Sequence, residues 1–528
     1  MKKIISALIC AALLTLTSCR NWLDVNRDPN AVSTVESGLI VPAAELALIT
    51  NYGMYANMLG SFFSDQWGVK PGGPNCFFLA QWDSQVGNMP EAMADRLYTY
   101  SYVRTINNLK AIRESSKTTN AGDYLVATVL RDFNYQVLVD LFGETPYAEA
   151  ENINITAPRY DEGKDVYANL TADLEEALTL VKESGATTVC DNMLFNSDKS
   201  IDNWIEFANA LLLRMYMRES DKVDVSAKID ALISNDSFPQ DDICFNSNLF
   251  NNEAGKENPL YNNFVRSIGD PVANRSMDLV AHMCAIGTMG EYNDPRISAK
   301  FKPSVKYNNF EGNFICSQQS TEVTAKYVDK DGFAEPILNY NTPVYLITVA
   351  DTEFLLAEYY LKKGDAANSK EHYEAAIKAS FRQCGLNESA AAEILAGSYA
   401  WDSNKGLELI GIQKWIANTG INGFESWCEM RRLGYPEING KSGAEAYTAF
   451  CNMAKENITA SKPNPTPTCK NMVDAGYYSY GKIFSPTIST GLPQGSYIQR
   501  MPYSTTSKKT NGNAPALKAK TDKIFWAK

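Results

Sequence analysis

Apolar side chains recur every four residues at Leu125, Val129, Phe133, Val137 and Leu141, and Val126, Leu130 and Leu138 fill a neighbouring stripe. Most of the circumference is therefore apolar, which predicts a helix buried on several sides rather than one lying on a surface. Gly143 follows as a C-cap, and Pro146 forbids continuation. The same periodicity predicts helices over Ser37–Gly60, Glu91–Glu114, Asp123–Phe142, Tyr160 to about Glu183, Asp202–Glu219, Ser226–Ser234, Met277–Ile286, Leu407–Asn418 and Gly423–Arg432. Glu91–Glu114 and Asp123–Phe142 read as an antiparallel pair.

Within this helical background, Asp351–Phe381 matches a tetratricopeptide repeat. Ala357, Tyr360, Ser369, Tyr373 and Ala376 fall at the spacings where two antiparallel helices cross, and Gly364-Asp365 supplies the turn. Small Ala357 and Ala376 let the helices approach, while the tyrosines fill the remaining gap. The expected fold is mainly α, with about four tetratricopeptide-like helix pairs supporting irregular loop inserts.

Two inserts interrupt the pattern. Phe62–Pro90 combines Trp67 and Trp82 with a Pro-Gly-Gly-Pro turn, Asn75 and Asp83. Phe301–Tyr345 is studded with Tyr307, Phe310, Phe314, Tyr327, Phe333 and Tyr340. Long aromatic loops between helices more often carry function than merely connect. Flat rings stack on sugar faces or peptide side chains, and amides and carboxylates orient hydroxyls. The candidate ligand site is accordingly Trp67 and Trp82 as stacking platforms, Tyr307 and Phe310 behind them, and Asn75, Asp83 and Asn308 as hydrogen-bonding groups. Each of these rings has a second reading as core.

The start of the chain changes the picture. Lys2 and Lys3 precede the apolar run Ile4–Leu16 and then Leu16-Thr17-Ser18-Cys19, the order of a secretory signal too short to span a membrane. A cysteine after a small residue is a lipobox, so residues 1–18 read as a signal peptide and Cys19 as the lipidated first residue of a body spanning 19–528. Several acyl chains on one residue hold far better than one. The net charge of −12 argues against nucleic acid as a partner. Eleven cysteines at scattered spacings make no disulfide framework, and there is no CxxC. With only His282 and His372 present, neither a His-rich nor a paired-cysteine zinc site is expected, and no cofactor is implied.

Several segments resemble the SusD/RagB family, and they do so in family order. VLVDLFGETPYAEA at Val137–Ala150 resembles its hallmark segment, and Trp22–Asn30, WLDVNRDPN, resembles its early tether. Trp204, Phe207, Ala208, Leu213 and Arg214 match its tryptophan-phenylalanine-alanine helix. Asn293-Asp294-Pro295-Arg296, Gln413-Lys414-Trp415, Trp427 with Arg431-Arg432 and Pro436, Arg500 with Pro502 and Tyr503, and Phe525-Trp526 resemble later signatures. The resemblance implies a Bacteroidetes lipoprotein anchored by its lipid to the outer membrane and facing outside, that binds an oligosaccharide or peptide nutrient. It also implies a partner, a SusC-like TonB-dependent transporter over which the protein acts as a lid.

A catalytic reading lacks its constellation. There is no GxSxG elbow, no P-loop and no GxGxxG after a strand. A carboxylate pair for glycoside hydrolysis cannot be found by counting acidic residues. Three classes therefore compete: a nutrient-binding lipoprotein, a tetratricopeptide scaffold binding only proteins, and a surface glycan hydrolase. The lipobox and aromatic inserts favour the first, and the expected protein is not an enzyme.

Overall fold

The computed structural model describes residues 36–70, 91–276, 279–314, 331–485, 492, 493 and 495–528. The expectations at Cys19, Asn75, Trp82 and Asp83 lie outside them. No helix among the described residues is long and apolar enough to cross a membrane.

The first predicted helix is two. Helix α1, Ser37–Thr50, passes through a π-helical stretch, Asn51–Ala56, into α2, Asn57–Phe63. Every residue from Asn51 to Phe63 is buried, and the widened turn aims polar side chains at interior partners: Asn51 Nδ2 donates to Ser101 Oγ at 2.8 Å and Tyr52 Oη to Asn422 Oδ1 at 2.8 Å. Strand β1 is Trp67–Val69. Helix α3, Glu91–Tyr98, continues through a π-helical Thr99–Ile106 into α4, Asn107–Ser116.

Helix α5, Ala121–Phe142, is the buried axis that the periodicity predicts: every residue from Gly122 to Phe142 is buried. Asn120 caps its start by accepting the Asp123 N–H, and Gly143 ends it at φ +81°, a left-handed value glycine adopts without strain. The short pair β2 (Thr145–Pro146) and β3 (Tyr160–Asp161) leads into α6, Gly163–Ser184, then α7, Asp202–Glu219, and α8, Ser226–Asn235. Strand β4, Ile243–Phe245, follows.

The helix expected over Met277–Ile286 is corrected. Leu279–Ala281 forms strand β5, and helix α9, Met283–Glu291, starts only after His282, whose Nδ1 caps it by accepting the Cys284 N–H at 3.2 Å. A short run buried on all sides has the same apolar pattern in either conformation, and only its strand partner decides. Then come α10 (Ile297–Lys300), β6 (Phe301–Lys302), β7 (Glu335–Pro336) and β8 (Val344–Ile347), which pairs with β4.

The repeat follows as α11, Val349–Lys362, and α12, Ala366–Gln383. Ala357, Ser369, Tyr373 and Ala376 are all buried at the crossing, and Ser369 Oγ donates to the Ala357 carbonyl at 2.7 Å. Tyr360 is half-buried and stacks on His372, centroids 5.2 Å apart. The last pair is α13, Gly406–Asn418, and α14, Gly423–Leu433. Helix α15, Gly443–Thr459, is one the hydrophobic pattern did not yield, although its capping box, Ser442 with Glu445, is a readable start signal. Four antiparallel pairs thus recur: α4 with α5, α6 with α7, α11 with α12, and α13 with α14. Helix α2 packs on the start of α14 backbone to backbone. A Cβ on Gly60 would lie 2.3 Å from the Gly423 carbonyl oxygen, so only glycine fits.

Ionic side chains join the pairs in the interior. Arg214 of α7 meets Asp351 at 3.2 Å and Glu425 at 3.4 Å, and Arg218 bonds Asp140 and Glu425 and reaches Glu429 at 3.3 Å. Lys414 bridges Asp351 (2.9 Å) and Glu429 (3.2 Å). Arg432 donates Nη1 and Nη2 to Glu358, at 2.7 and 2.5 Å, and Nη2 and Nε to Glu429, at 2.5 and 3.2 Å. Burial would raise Glu358 and Glu429, but Arg432 outweighs it for both, aided by Lys414 and Arg218 at Glu429, and holds them below the usual carboxylate range.

The distal end of α5 explains why its sequence is distinctive. A helix leaves its last four carbonyls unpaired. Here the Gly143 N–H takes Val139 at 2.7 Å, Arg431 takes Asp140 at 2.8 Å, the Met501 N–H takes Leu141 at 2.7 Å, and Arg500 takes Phe142. Glu144 then binds Arg500, Tyr503 and Lys518. Burial opposes its charge, yet the Lys518 and Tyr503 hydrogen bonds and the Arg500 charge bring its pKa down to about 2. The hallmark segment and the arginine-proline-tyrosine segment are two halves of one C-cap.

Candidate functional site

The two inserts, far apart in sequence, are joined over strand β5. Strand β1 pairs antiparallel with it, Trp67 opposite Ala281 and Val69 opposite Leu279. The second insert supplies the other contacts. The Ala281 N–H donates to the Ala334 carbonyl at 2.8 Å, the Asn313 N–H to the Ala281 carbonyl at 2.8 Å, and Asn313 Nδ2 to the Val69 carbonyl at 2.7 Å. Strands β6 and β7 pair beside them. At the rim Lys70 meets Glu335 at 3.1 Å and Asp331 at 3.8 Å, and Arg275 approaches Glu335 at 3.7 Å. These four charged residues were not anticipated, since nothing in their spacing marks them as neighbours.

The structure treats the predicted residues differently. Trp67 is corrected: it is 0% exposed, so it packs in the core and offers no face to a ligand in this conformation. Tyr307 is half-buried and donates its hydroxyl to the Pro463 carbonyl at 3.2 Å, with the Lys306 ammonium 5.3 Å from its ring centre. Asn308 is exposed on a left-handed turn at φ +52°. Phe310 is half-buried, packed against the core. Both rings are thus fixed by the body while part of each reaches solvent, as a stacking surface requires. Phe314, by contrast, is sealed in a cluster with Phe484, Tyr447 and Phe450. Glu311, beside Phe310, accepts the Cys469 N–H at 3.3 Å, and burial pushes its pKa up to about 7.

The far end of the second insert lines a separate cavity of about 400 Å³ with Asn339, Asn341, Tyr345, Lys300, Gln383 and Thr419 among its walls. Lys300 donates to the Ala417 and Thr419 carbonyls at 2.9 and 2.8 Å, and burial lowers its pKa. This cavity is polar and carries a single ring, unlike the aromatic junction over β5.

A mainly α scaffold of tetratricopeptide-like helix pairs is the fold that SusD homologues of known structure share with this chain. The chain belongs to that family: residues 81–451 match the SusD-like family described as "Starch-binding associating with outer membrane". No curated protein matches the sequence. Among solved structures, a SusD homologue from Bacteroides uniformis is similar, with 18% identity, a TM-score of 0.66, and 93% of this chain and 99% of that one covered. A chitin-binding protein aligns with 18% identity and a TM-score of 0.67 over 93% of this chain and 100% of its own. A chitin-binding SusD homologue from Flavobacterium johnsoniae gives 18% identity and 0.63 over 92% and 98%. At such identities the likeness is one of fold.

Proposed function

We propose that the protein is a surface lipoprotein that captures an oligosaccharide at the junction of the two inserts and passes it to a SusC-like TonB-dependent transporter. The observation that carries this reading is the meeting of both aromatic inserts on β5, with Tyr307 and Phe310 half-buried beside polar Asn308. The family description and the chitin-binding relatives support a glycan over a peptide. Trp82, Asn75 and Asp83 of the first insert complete the proposed contact set, and Cys19 carries the lipid that holds the protein at the outer membrane. The role is capture without turnover.

Calorimetric titration of the mature chain with starch and chitin oligosaccharides, and with peptides as the competing class, tests the reading. One glycan series should bind, and Tyr307→Ala, Phe310→Ala and Trp82→Ala should each weaken it about tenfold or more with melting unchanged, as truncated hot-spot aromatics do. Wild-type affinity in all three folded variants refutes the site. Peptide binding with no glycan binding refutes the ligand class.

A further inference from the structure

The polar cavity at the far end of the second insert brings together segments distant in sequence. Ser247, Lys300, the 339–345 loop, Gln383 with Cys384 and the 419–421 turn all line it. Its volume of about 400 Å³ falls in the usual range for small-ligand pockets. Behind Thr342, Tyr345 and Gly420 the space narrows to about 10 Å³, walled by Tyr52, Asn57 and Asn258, which holds one water at most. The cavity is therefore blind on that side, and it takes a short molecule or the end of a longer one.

Its walls are set in advance. Asn258 grips the 339–345 loop: its N–H donates to the Tyr340 carbonyl at 2.7 Å and its Nδ2 to the Thr342 carbonyl at 2.8 Å. The 419–421 turn is held by Thr419 Oγ1, which donates to the Trp415 carbonyl at 2.9 Å, and by Lys300. Gln383 Nε2 donates to Asp242 Oδ2 at 2.9 Å, which leaves its Oε1 as an acceptor. Tyr345 stands on β8 between buried Val344 and Leu346, so the alternation of the strand turns it to the opposite face. Neither its hydroxyl nor the Asn341 amide bonds another described residue, and burial pushes the phenol up, so it stays a neutral donor.

Charge selects among ligands. Among the described residues that line the cavity, Lys300 alone is charged. Its ammonium donates to the Ala417 and Thr419 carbonyls at the end of α13, whose partial negative charge answers it. No surplus charge remains to hold an ion, while an amide, a phenol and a carbonyl acceptor remain for hydroxyl groups. We propose that this cavity is a second binding site, separate from the aromatic junction, for a neutral mono- or disaccharide held by Asn341, Tyr345 and Gln383. Each sugar hydroxyl both donates and accepts, as this mixed set requires. The Tyr345 ring, with Ile337 and Pro343, supplies the apolar contact for a pyranose face.

The test titrates maltose and N,N′-diacetylchitobiose into the mature chain, and into the same chain carrying Trp82→Ala, Tyr307→Ala and Phe310→Ala together, which disables the junction. Saturation-transfer NMR should show at least one disaccharide bound to both proteins. Asn341→Ala, and Tyr345→Phe, which removes only a hydroxyl, should each weaken it about fivefold or more. The bound disaccharide should also slow alkylation of the Cys384 thiol in the cavity wall of the wild type and leave half-buried Cys190 at its own rate. Glucose should bind more tightly than glucuronate at pH 7. Absence of disaccharide binding to the wild type overturns the proposal, as does an unchanged Cys384 rate under a bound sugar, whether or not any variant folds. Binding lost in the folded triple variant places the sugar at the junction and overturns the separate site, and a preference for glucuronate overturns the neutral class.

Discussion

Removing Arg432 tests whether the interior ionic lattice joins the helix pairs. Arg432→Met keeps the length of the side chain and takes away the guanidinium that binds Glu358 through two nitrogens and Glu429 through two, and that also donates to the Met217 carbonyl. Glu358 keeps Lys362 at 2.8 Å, and Glu429 keeps Lys414 and Arg218. Two fully buried carboxylates then share too few cations, and breaking a buried pair from one side costs about 3–5 kcal/mol. At roughly 2 cal/mol/K per residue, the unfolding entropy of a chain this long is about 1 kcal/mol/K, so melting should fall by about 3–5 °C. Adding Glu358→Leu should recover part of the loss, because the unpaired charge goes with it, and the double variant should be more stable than the sum of the singles by about 1–3 kcal/mol. Calorimetry of the four proteins at pH 7 measures this. A loss below 1 kcal/mol in the single variant, or strict additivity in the double, would refute the reasoning.

Other expectations follow from single residues. Glu45 is buried and accepts the Met193 and Leu194 N–H groups, but burial wins and raises its pKa to about 7 from 4.5. Between those values the folded state holds a proton that the unfolded state lacks, so its contribution to stability falls as pH rises through that window and is flat above it. Glu45→Gln should be about 1–3 kcal/mol more stable than wild type at pH 8 and nearly equal at pH 4.5; identical pH profiles by thermal melting count against this. The lattice carboxylates Asp351, Glu358 and Glu429 have the opposite sign: held below their unfolded values, they stabilise above about pH 4 and lose that as pH falls further, which acid unfolding of wild type against Arg432→Met measures. Ala357→Leu should overpack the α11–α12 crossing by about 1–3 kcal/mol, read from urea unfolding. Cys19→Ala should move the protein from the membrane fraction to the soluble one, and continued membrane association would remove the lipid anchor from the proposed function.

The helical layout was legible because burial imposes its period directly on the chain. Ala121–Phe142 must be apolar nearly all round to sit inside, and the Ala357, Ser369, Tyr373 and Ala376 spacing is dictated by two helices crossing closely. The scattered signatures were legible for a related reason. Arg214, Lys414, Arg432 and Arg500 are charges in otherwise apolar settings, and such residues persist in the interior only where partners are built for them. What stayed hidden was every decision taken across distance. Leu279–Ala281 became strand instead of helix because β1 lies beside it, and the π-helical turns formed where buried polar groups needed aiming. Trp67 looked like a platform because a tryptophan in a turn-rich stretch reads the same on a surface or in the core; only its packing in the folded chain decides. Periodicity along one segment reports how much of that segment is buried, and so the sequence by itself determined the helices and the class of scaffold. Which buried groups meet, as Asp65, His282 and Cys284 do, depends on contacts between segments that leave no local period, and these the tertiary structure alone decided.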